Sequence, residues 1–487
     1  MFSSLEGTDF IDSVTEKAQA IINVDRMAFA TVYRVVEEYC EGNEIIVSDP
    51  DKILAADNDP NAAPPRDPMA SCDYKLYCRF PYKHALNLAT LIHSNVGEWV
   101  KMRTIVGHRE FVIDYDSRPL ITIYSIDFQK SVKLSTIVMP VKLDGIQYMS
   151  PELEIIDVYH KLYSPEEADN WPDLVATESR LYNLLMSRVK ASIFGGAKEP
   201  AARSPEDITD LQYLKYLVLS EFCCEFIKDY VVVGHWALHA VEASREENHR
   251  MKSSIEKIQI ITAIDINNAI EEIVNFLGRY TNARVVSRIQ DLHIPKDFRI
   301  NRCTIYVGVP GKNGEIKEKA FMDIFNCGNF ELIPYVPVSL KTQYGSMIRE
   351  EPRKFDRARR FDKSRGFDRT RKFKKHRRGG GVSCILKIGT PFVLLRFLVI
   401  DLWVLRMIHE MGHLTADMLK TKTKYILHVI ESIKSPEMGL MDKVFGIDYV
   451  GVHKDYAISK KIDNLKSKPF FPYYPEKEMA AGRYKNV

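Results

Sequence analysis

Short apolar runs and longer helical stretches alternate along the chain. Tyr230–Val233 is a β-branched run that predicts a buried strand. Gly234 follows and permits a tight turn, after which Trp236, Leu238 and Val241 recur at helical spacing. A strand–glycine–helix junction is common in α/β domains, and it can also point free N–H groups at a phosphate. The pattern predicts an α/β fold and makes Gly234 a candidate contact for a phosphate.

The same order of elements occurs twice. In the N-terminal half, a strand at Glu44–Val47 leads into a helix that Ser48 or Asp49 caps and Pro50 begins. Both halves continue with a strand, a helix, further strands and a helix opened by Ser-Pro or Thr-Pro. These segments are Tyr74–Cys78, Pro81–Asn95, 99–126 and Ser150-Pro151 in the first half, and Glu256–Ile261, Ile266–Tyr280, 284–325 and Thr390-Pro391 in the second. The repeat predicts a duplicated α/β unit.

A segment rich in Gly, Ala and Pro separates the two halves. It covers residues 194–205 and predicts a linker between a domain at 1–193 and a domain at 206–487. Within the first domain, Thr136–Val141 predicts one more strand. A chain of 487 residues is long enough for two such domains with cores of their own.

The composition indicates a reduced, intracellular protein. The eight cysteines form no C-x-x-C pair. The most apolar run, Phe392–Ile408, is interrupted by Arg396, Asp401 and Arg406, which argues against a membrane span. We therefore expect no membrane partner.

The net charge of +3 conceals a strongly basic segment. Residues 353–378 hold fourteen Lys or Arg and three Asp, a net of +11, so the rest of the chain carries 3 − 11 = −8. Phenylalanines recur every six residues, at Phe355, Phe361 and Phe367, and the segment predicts a disordered insertion over 348–382. Cations interleaved with aromatic rings are typical of single-stranded RNA binding. The candidate RNA contacts are Arg353, Lys354, Arg357, Arg359, Arg360, Arg365, Arg369, Arg371, Lys372, Lys374, Lys375, Arg377 and Arg378. A nuclear-type address signal and a tolerated solvated insertion are the alternatives.

His409, Glu410 and His413 match the H-E-x-x-H motif of zinc peptidases, in which two histidines one helical turn apart bind the metal. The motif lies at the end of the apolar helix begun at Thr390, and Gly412 weakens a helix that must hold His413 rigidly. We interpret the match as coincidental, and a zinc peptidase is only a remote alternative.

Several longer stretches resemble one family. They are Ser150–Pro165 with Trp171, His293–Arg299, Phe321–Cys327, Pro391–Phe397, Tyr473–Glu476 and Arg483–Lys485. Together they resemble the poly(A) polymerase catalytic subunits of large nucleocytoplasmic DNA viruses, of the giant-virus type and related to asfarvirus and poxvirus enzymes. The resemblance implies two tandem nucleotidyltransferase-like domains, each a small mixed sheet with flanking helices.

The resemblance also implies an activity, namely transfer of adenylates from ATP to mRNA 3′ ends with Mg²⁺ or Mn²⁺ and without zinc. It implies RNA 3′ ends as substrate, and a second copy or a viral subunit as partner. The implied location is the host cytoplasm or viral factory, with packaging in the virion as a further expectation.

The sequence departs from the pattern that this chemistry requires. Two metal ions need a D-x-D carboxylate pair on one strand and a third carboxylate on a neighbouring strand. Tyr74–Cys78 has no carboxylate, and the second unit reads Glu256-Lys-Ile-Gln259. The remaining candidates are Asp323 as the third carboxylate and the literal D-x-D at Asp114 and Asp116. Two hypotheses follow: an active polymerase with relocated carboxylates, or an inactive paralogue that binds RNA or dimerises.

Overall fold

The computed structural model describes most of both predicted halves. The described residues are 4–56, 74–97, 100–105, 110–115, 118–126, 133–193, 215, 230–238, 257–262, 265–280, 285–293, 299–310, 316–326, 332–340, 384–434 and 448–450. The predicted linker 194–205 and basic insertion 348–382 lie outside them, so the predicted domain limits stay a prediction.

The first unit contains one mixed sheet and six helices among the described residues. Its strands are β1 Ile46–Ser48, β2 Tyr74–Cys78, β3 Val100–Ile105, β4 Glu110–Tyr115, β5 Arg118–Ser125, β6 Val141–Leu143 and β7 Ile146–Tyr148. Its helices are α1 Ser4–Glu41, α2 Pro50–Ala56, α3 Pro81–Val96, α4 Leu134–Val138, α5 Pro151–Lys161 and α6 Trp171–Ile193, with a 3₁₀ turn at Pro165–Asn170.

The second unit contains a slightly larger mixed sheet. Its strands are β8 Tyr230–Val233, β9 Ile258–Thr262, β10 Val285–His293, β11 Arg299–Pro310, β12 Ile316–Asn326, β13 Ile333–Leu340, β14 Cys384–Gly389 and β15 Asp448–Val450. Its longer helices are α7 Ile266–Tyr280, α8 Pro391–Glu410 and α9 Ala416–Lys434.

The two sheets share one topology. The strand order is β3-β4-β5-β2-β1-β7-β6 in the first and β10-β11-β12-β9-β8-β14-β13-β15 in the second. Corresponding pairs run in the same sense: β1/β2 and β8/β9 are antiparallel, whereas β2/β5 and β9/β12 are parallel. The predicted α/β class and the repeated order of elements are therefore confirmed, with β15 as an addition at one edge.

One predicted element of the first unit is wrong. Thr136–Val141 was expected to be a strand, but Leu134–Val138 forms α4, and Met139 ends it in the left-handed conformation at φ 47°. Leu134, Ile137 and Val138 are buried, which is the spacing of one helical face. Only Val141 onward forms a strand.

Helix α8 joins the two units. It begins with Pro391 after the extended Thr390, as α5 begins with Pro151 after Ser150. Its Trp403 Nε1 donates a hydrogen bond to the carbonyl of Ile137 in the first unit at 2.8 Å. The buried Arg396 also donates to Tyr163, so side chains of α8 contact α4 and the turn that follows α5.

A partly buried ion pair links the units a second time. Lys434 at the end of α9 donates to both carboxylate oxygens of Glu178 on α6, at 2.6 and 2.9 Å. Tyr159 of α5 donates to Glu178 as well, at 2.7 Å. Buried apolar side chains of both units form one continuous core around these contacts. None of the helices described is long and apolar enough to span a bilayer.

Candidate functional site

The face of the second sheet around β9 is where a nucleotidyltransferase would hold its metal ions. Gln259 on β9 lies opposite Asp323 on β12, and Asp323 lies opposite Thr304 on β11. Residues directly opposite each other share a face, and so do residues two apart along a strand. Lys257 and Arg302 therefore lie on the same face as Asp323.

Asp323 is completely buried, and both of its carboxylate oxygens have protein partners. Thr304 Oγ1 donates to Oδ1 at 2.8 Å, and Arg302 donates to Oδ2 at 2.8 Å. The ammonium of Lys257 also contacts Oδ2. Burial alone would raise the pKa of Asp323, but the charges of Lys257 and Arg302 and the hydrogen bonds outweigh it and hold the pKa below its usual value. Asp323 is therefore an ionised carboxylate that two protein cations neutralise.

Gln259 fills the space between the strand and the glycine junction. Its amide nitrogen donates to Asp401 of α8, and its amide oxygen lies against Gly234. Gly234 has φ +72°, and a Cβ at this residue would lie 1.9 Å from that oxygen. Residues 234–238 turn into a short helical segment directly after β8. The side chain of Gln259 thus lies between Gly234, the candidate phosphate contact, and Asp323, the candidate third carboxylate.

His235, the residue after Gly234, contacts helix α9. His235 packs edge-on against Tyr425 of α9 with ring centroids 4.7 Å apart, and its Nδ1 is hydrogen-bonded to the tyrosine hydroxyl. The imidazole therefore belongs to the contact between this junction and α9.

The first unit has a corresponding position with different residues. Lys75 on β2 lies between Ser48 on β1 and Thr122 on β5, as Gln259 lies between Val233 and Asp323 in the second unit. Thr122 therefore occupies the place of Asp323. Within the described part of β2 and β5 no carboxylate lies on this face.

The junction after β1 is built as a helix cap. Asp49 follows Ser48, in the place of Gly234, and its Oδ1 accepts the backbone N–H of Lys52 at 3.1 Å. Ser48 Oγ donates to the buried Glu154 of α5 at 3.1 Å. This confirms the predicted cap before Pro50. A carboxylate at the start of α2 takes the position that a phosphate would need, and it would repel that phosphate.

The candidate D-x-D of the first unit lies away from this position. Asp114 is on β4, next to a bulge, and it accepts from Arg103 Nε on β3 at 2.8 Å. Asp116 lies outside the described residues, as do all the candidate RNA contacts of the basic segment. The structure thus places Asp114 in a partly exposed ion pair two strands from β2.

The H-E-x-x-H residues do not share a helical face. Helix α8 ends at Glu410, and Gly412 follows with φ +76°, so His413 lies beyond the helix. The Nδ1 of His409 is hydrogen-bonded to the carbonyl of Leu414 at 2.7 Å. His409 and His413 therefore do not lie on one continuous helix, as the H-E-x-x-H motif requires.

The donor set around Asp323 does not suit Mg²⁺ or Mn²⁺. These ions prefer several oxygen ligands, usually carboxylates and waters, whereas the nearest groups here are an ammonium, a guanidinium and one carboxylate. Across the residues that the structure describes, no three His, Cys, Asp or Glu side chains are grouped so that they could hold a metal ion. Sequence reasoning singled out Asp323 but missed Lys257, Arg302 and Asp401 as its surroundings.

Two mixed sheets of one topology, each with a strand, a turn and a helix ahead of its central strand, define a duplicated two-unit α/β fold. A solved structure agrees with this class. The crystal structure of the Megavirus polyadenylate synthase has the same fold, with a TM-score of 0.59 and 13% sequence identity over 96% of this chain and 86% of that one. The likeness to giant-virus poly(A) polymerases is thus confirmed at the level of the fold.

Sequence relatives come from African swine fever virus. An uncharacterized protein of the Pretoriuskop isolate from South Africa is 23% identical over 419 residues, which cover 83% of this chain and 84% of the relative. An uncharacterized protein of a Malawi tick isolate is 22% identical over 82% of this chain and 84% of its own length. No protein-family model matches the chain.

Proposed function

We propose that this chain is a non-catalytic relative of the viral poly(A) polymerases that binds RNA. The observation that carries the proposal is the state of Asp323. Among the residues described, this carboxylate is the one acidic side chain on β9 and on the stretches of β11 and β12 that pair beside it. Lys257 and Arg302 already neutralise it.

The chemistry of adenylyl transfer explains why this observation matters. Transfer onto a 3′-hydroxyl requires cations that activate the hydroxyl and stabilise the leaving pyrophosphate. In a polymerase of this fold, the two metal ions that supply this charge need paired carboxylates. The corresponding positions here hold Gln259 in the second unit and Lys75 in the first. The described residues therefore favour the inactive-paralogue hypothesis over an active polymerase.

The purified chain, given ATP, Mg²⁺ or Mn²⁺ and an RNA primer, is expected to leave the primer at its original length. Metal-dependent extension of the primer by adenylates would contradict the proposal and favour an enzyme that uses relocated carboxylates such as Asp114 and Asp116.

The charge distribution supports RNA binding by the basic segment. Outside residues 353–378 the chain carries a net charge of −8, which repels a polyanion, whereas this segment carries +11. Release of counterions from RNA phosphates makes such binding strongly dependent on salt. We therefore assign the main phosphate contacts to this segment.

Deletion of residues 353–381 is expected to flatten the salt dependence of RNA binding. Removal of each phosphate contact should reduce the slope of log K against log salt by about 0.7 for a single strand. Fluorescence anisotropy with a labelled single-stranded RNA, measured over a series of salt concentrations, gives the slope directly.

A matched variant separates stacking from charge. Replacing Phe355, Phe361, Phe367 and Phe373 with Ala removes the rings but keeps every cation, so affinity should fall while the slope is kept. A deletion variant with the same melting temperature and the same slope as the complete chain would show that the phosphate contacts lie elsewhere.

A further inference from the structure

The charged side chains around Asp323 neutralise one another. Lys257 and Arg302 are cationic, and Asp323 and Asp401 are anionic, so the formal charge of the four is zero. Lys257 and Arg302 contact Asp323 directly, and Gln259 connects Asp401 to the glycine junction. Asp323 is 0% exposed, whereas the side chains of Arg302 and Lys257 are 12% and 24% exposed, so a buried carboxylate meets two partly buried cations.

We infer that Lys257 and Arg302 replace the divalent cation of a nucleotidyltransferase site, and that the remains of this site serve as a metal-independent tie between the second sheet and helix α8. In a site with several close carboxylates, mutual repulsion is relieved when metal ions bind or when one carboxylate takes up a proton. Here the repulsion is absent because one carboxylate meets two fixed cations. A divalent ion beside Asp323 would have to displace the ammonium of Lys257 and would face the charge of Arg302.

The tie runs from the sheet to the helix that joins the units. Gln259 on β9 donates to Asp401, which lies on α8 between Arg396 and Trp403, the two residues that meet the first unit. Its other amide atom rests against Gly234 at the end of β8. On the same helix, Trp403 and Arg396 contact the first unit through the two hydrogen bonds described above. The sheet face that carries Gln259 and Asp323 therefore fixes α8 on the second sheet. Through Trp403 and Arg396, the same helix contacts the first unit.

The inference deepens the proposed absence of catalysis, but it does not depend on RNA binding. It concerns the response of the fold to metal, which thermal unfolding of the complete chain measures without any RNA or ATP. The melting temperature is expected to be the same in EDTA as in millimolar Mn²⁺ at matched ionic strength.

A designed variant gives the opposite response. Lys257→Asp with Gln259→Asp places two carboxylates on the face of Asp323 and removes a cation. In EDTA its melting temperature should fall by roughly 5 °C or more, and Mn²⁺ should restore part of the loss. The control Lys257→Met with Gln259→Met removes the same groups without adding carboxylates, so it should be less stable than the wild type and indifferent to Mn²⁺.

Binding measured on the wild type keeps the test decisive if the double Asp variant does not fold. Electron paramagnetic resonance of free Mn²⁺ counts the bound ions, and wild type and Asp323→Asn should bind the same number. A Mn²⁺ ion that raises the wild-type melting temperature and does not bind to Asp323→Asn would overturn the inference. A different result separates the two proposals. If the wild type extends a primer but no Mn²⁺ ion binds at Asp323, the proposed function is overturned and the inference remains.

Discussion

Replacing Asp323 with Ala is expected to lower the free energy of unfolding by about 3–5 kcal/mol. The substitution leaves Lys257 and Arg302 facing each other in a largely buried place without the carboxylate that both contact. It also removes the acceptor of Thr304. An uncompensated buried charge accounts for most of such a loss, whereas the missing carboxyl volume contributes less.

Asp114→Ala is the matched control for this loss. Asp114 is also a strand carboxylate with an arginine partner at 2.8 Å, but the side chain of Arg103 is 50% exposed. Water screens that pair and solvates the arginine left behind, so the expected loss is about 1 kcal/mol or less. Urea unfolding of the wild type and both variants measures the two losses, and equal values would show that the network around Asp323 is no more than a surface ion pair.

The difference between wild type and Asp323→Ala should also depend on pH. The pKa of Asp323 is lower in the folded chain than in the unfolded one, because the nearby cations outweigh burial. Its stabilisation is therefore complete above the unfolded pKa of about 4 and decreases as the pH falls through the lower folded pKa. Unfolding curves at a series of acid pH values should show the two proteins converging only below about pH 4.

Gly234→Ala is expected to cost roughly 2–4 kcal/mol. Its φ of +72° strains any residue with a Cβ, and the new methyl would overlap the amide oxygen of Gln259. A glutamine side chain can usually move aside, but this one donates to Asp401 and would break that hydrogen bond to a carboxylate. The loss thus combines backbone strain with a broken contact to α8.

Gly412→Ala separates these two contributions. Gly412 has φ +76°, close to that of Gly234, but among the described residues other than its chain neighbours no atom lies within 4 Å of the place of its Cβ. Only the strain remains, at about 1–2 kcal/mol. Chemical denaturation of both variants should show the larger loss at Gly234. Equal losses would mean that Gln259 moves freely and does not tie β8 to α8.

The repeated order of elements was predictable because it depends on local signals. β-Branched runs mark Tyr230–Val233 and its neighbours as strands, and a proline after Ser150 or Thr390 begins a helix in each unit. The exception is α4, where two β-branched residues, Ile137 and Val138, have high strand propensity. Tertiary contacts outweigh that propensity in α4. Both residues are buried on one helical face, and Trp403, 266 residues away, donates a hydrogen bond to the carbonyl of Ile137.

The charge network could not be predicted because it depends on the register of distant strands. Lys257 and Asp323 meet only because β9 and β12 pair in parallel with Gln259 opposite Asp323. Asp401 joins through a contact that spans 142 residues. The sequence identified Asp323 as a carboxylate of interest, but a lone carboxylate is compatible with a metal ligand and with half of an ion pair. Its cationic neighbours distinguish the two, and they are known only from the fold.

Primer extension tests the central claim most directly. Wild type, Asp323→Ala and the double variant Asp114→Ala with Asp116→Ala are incubated with a labelled RNA primer, ATP and Mg²⁺ or Mn²⁺, and product lengths are compared on a denaturing gel. We expect the primer to keep its length in all three samples while the wild type still binds it. Metal-dependent extension by the wild type would contradict the account, and its loss in a variant that keeps the wild-type fold would identify that carboxylate as part of a working catalytic site.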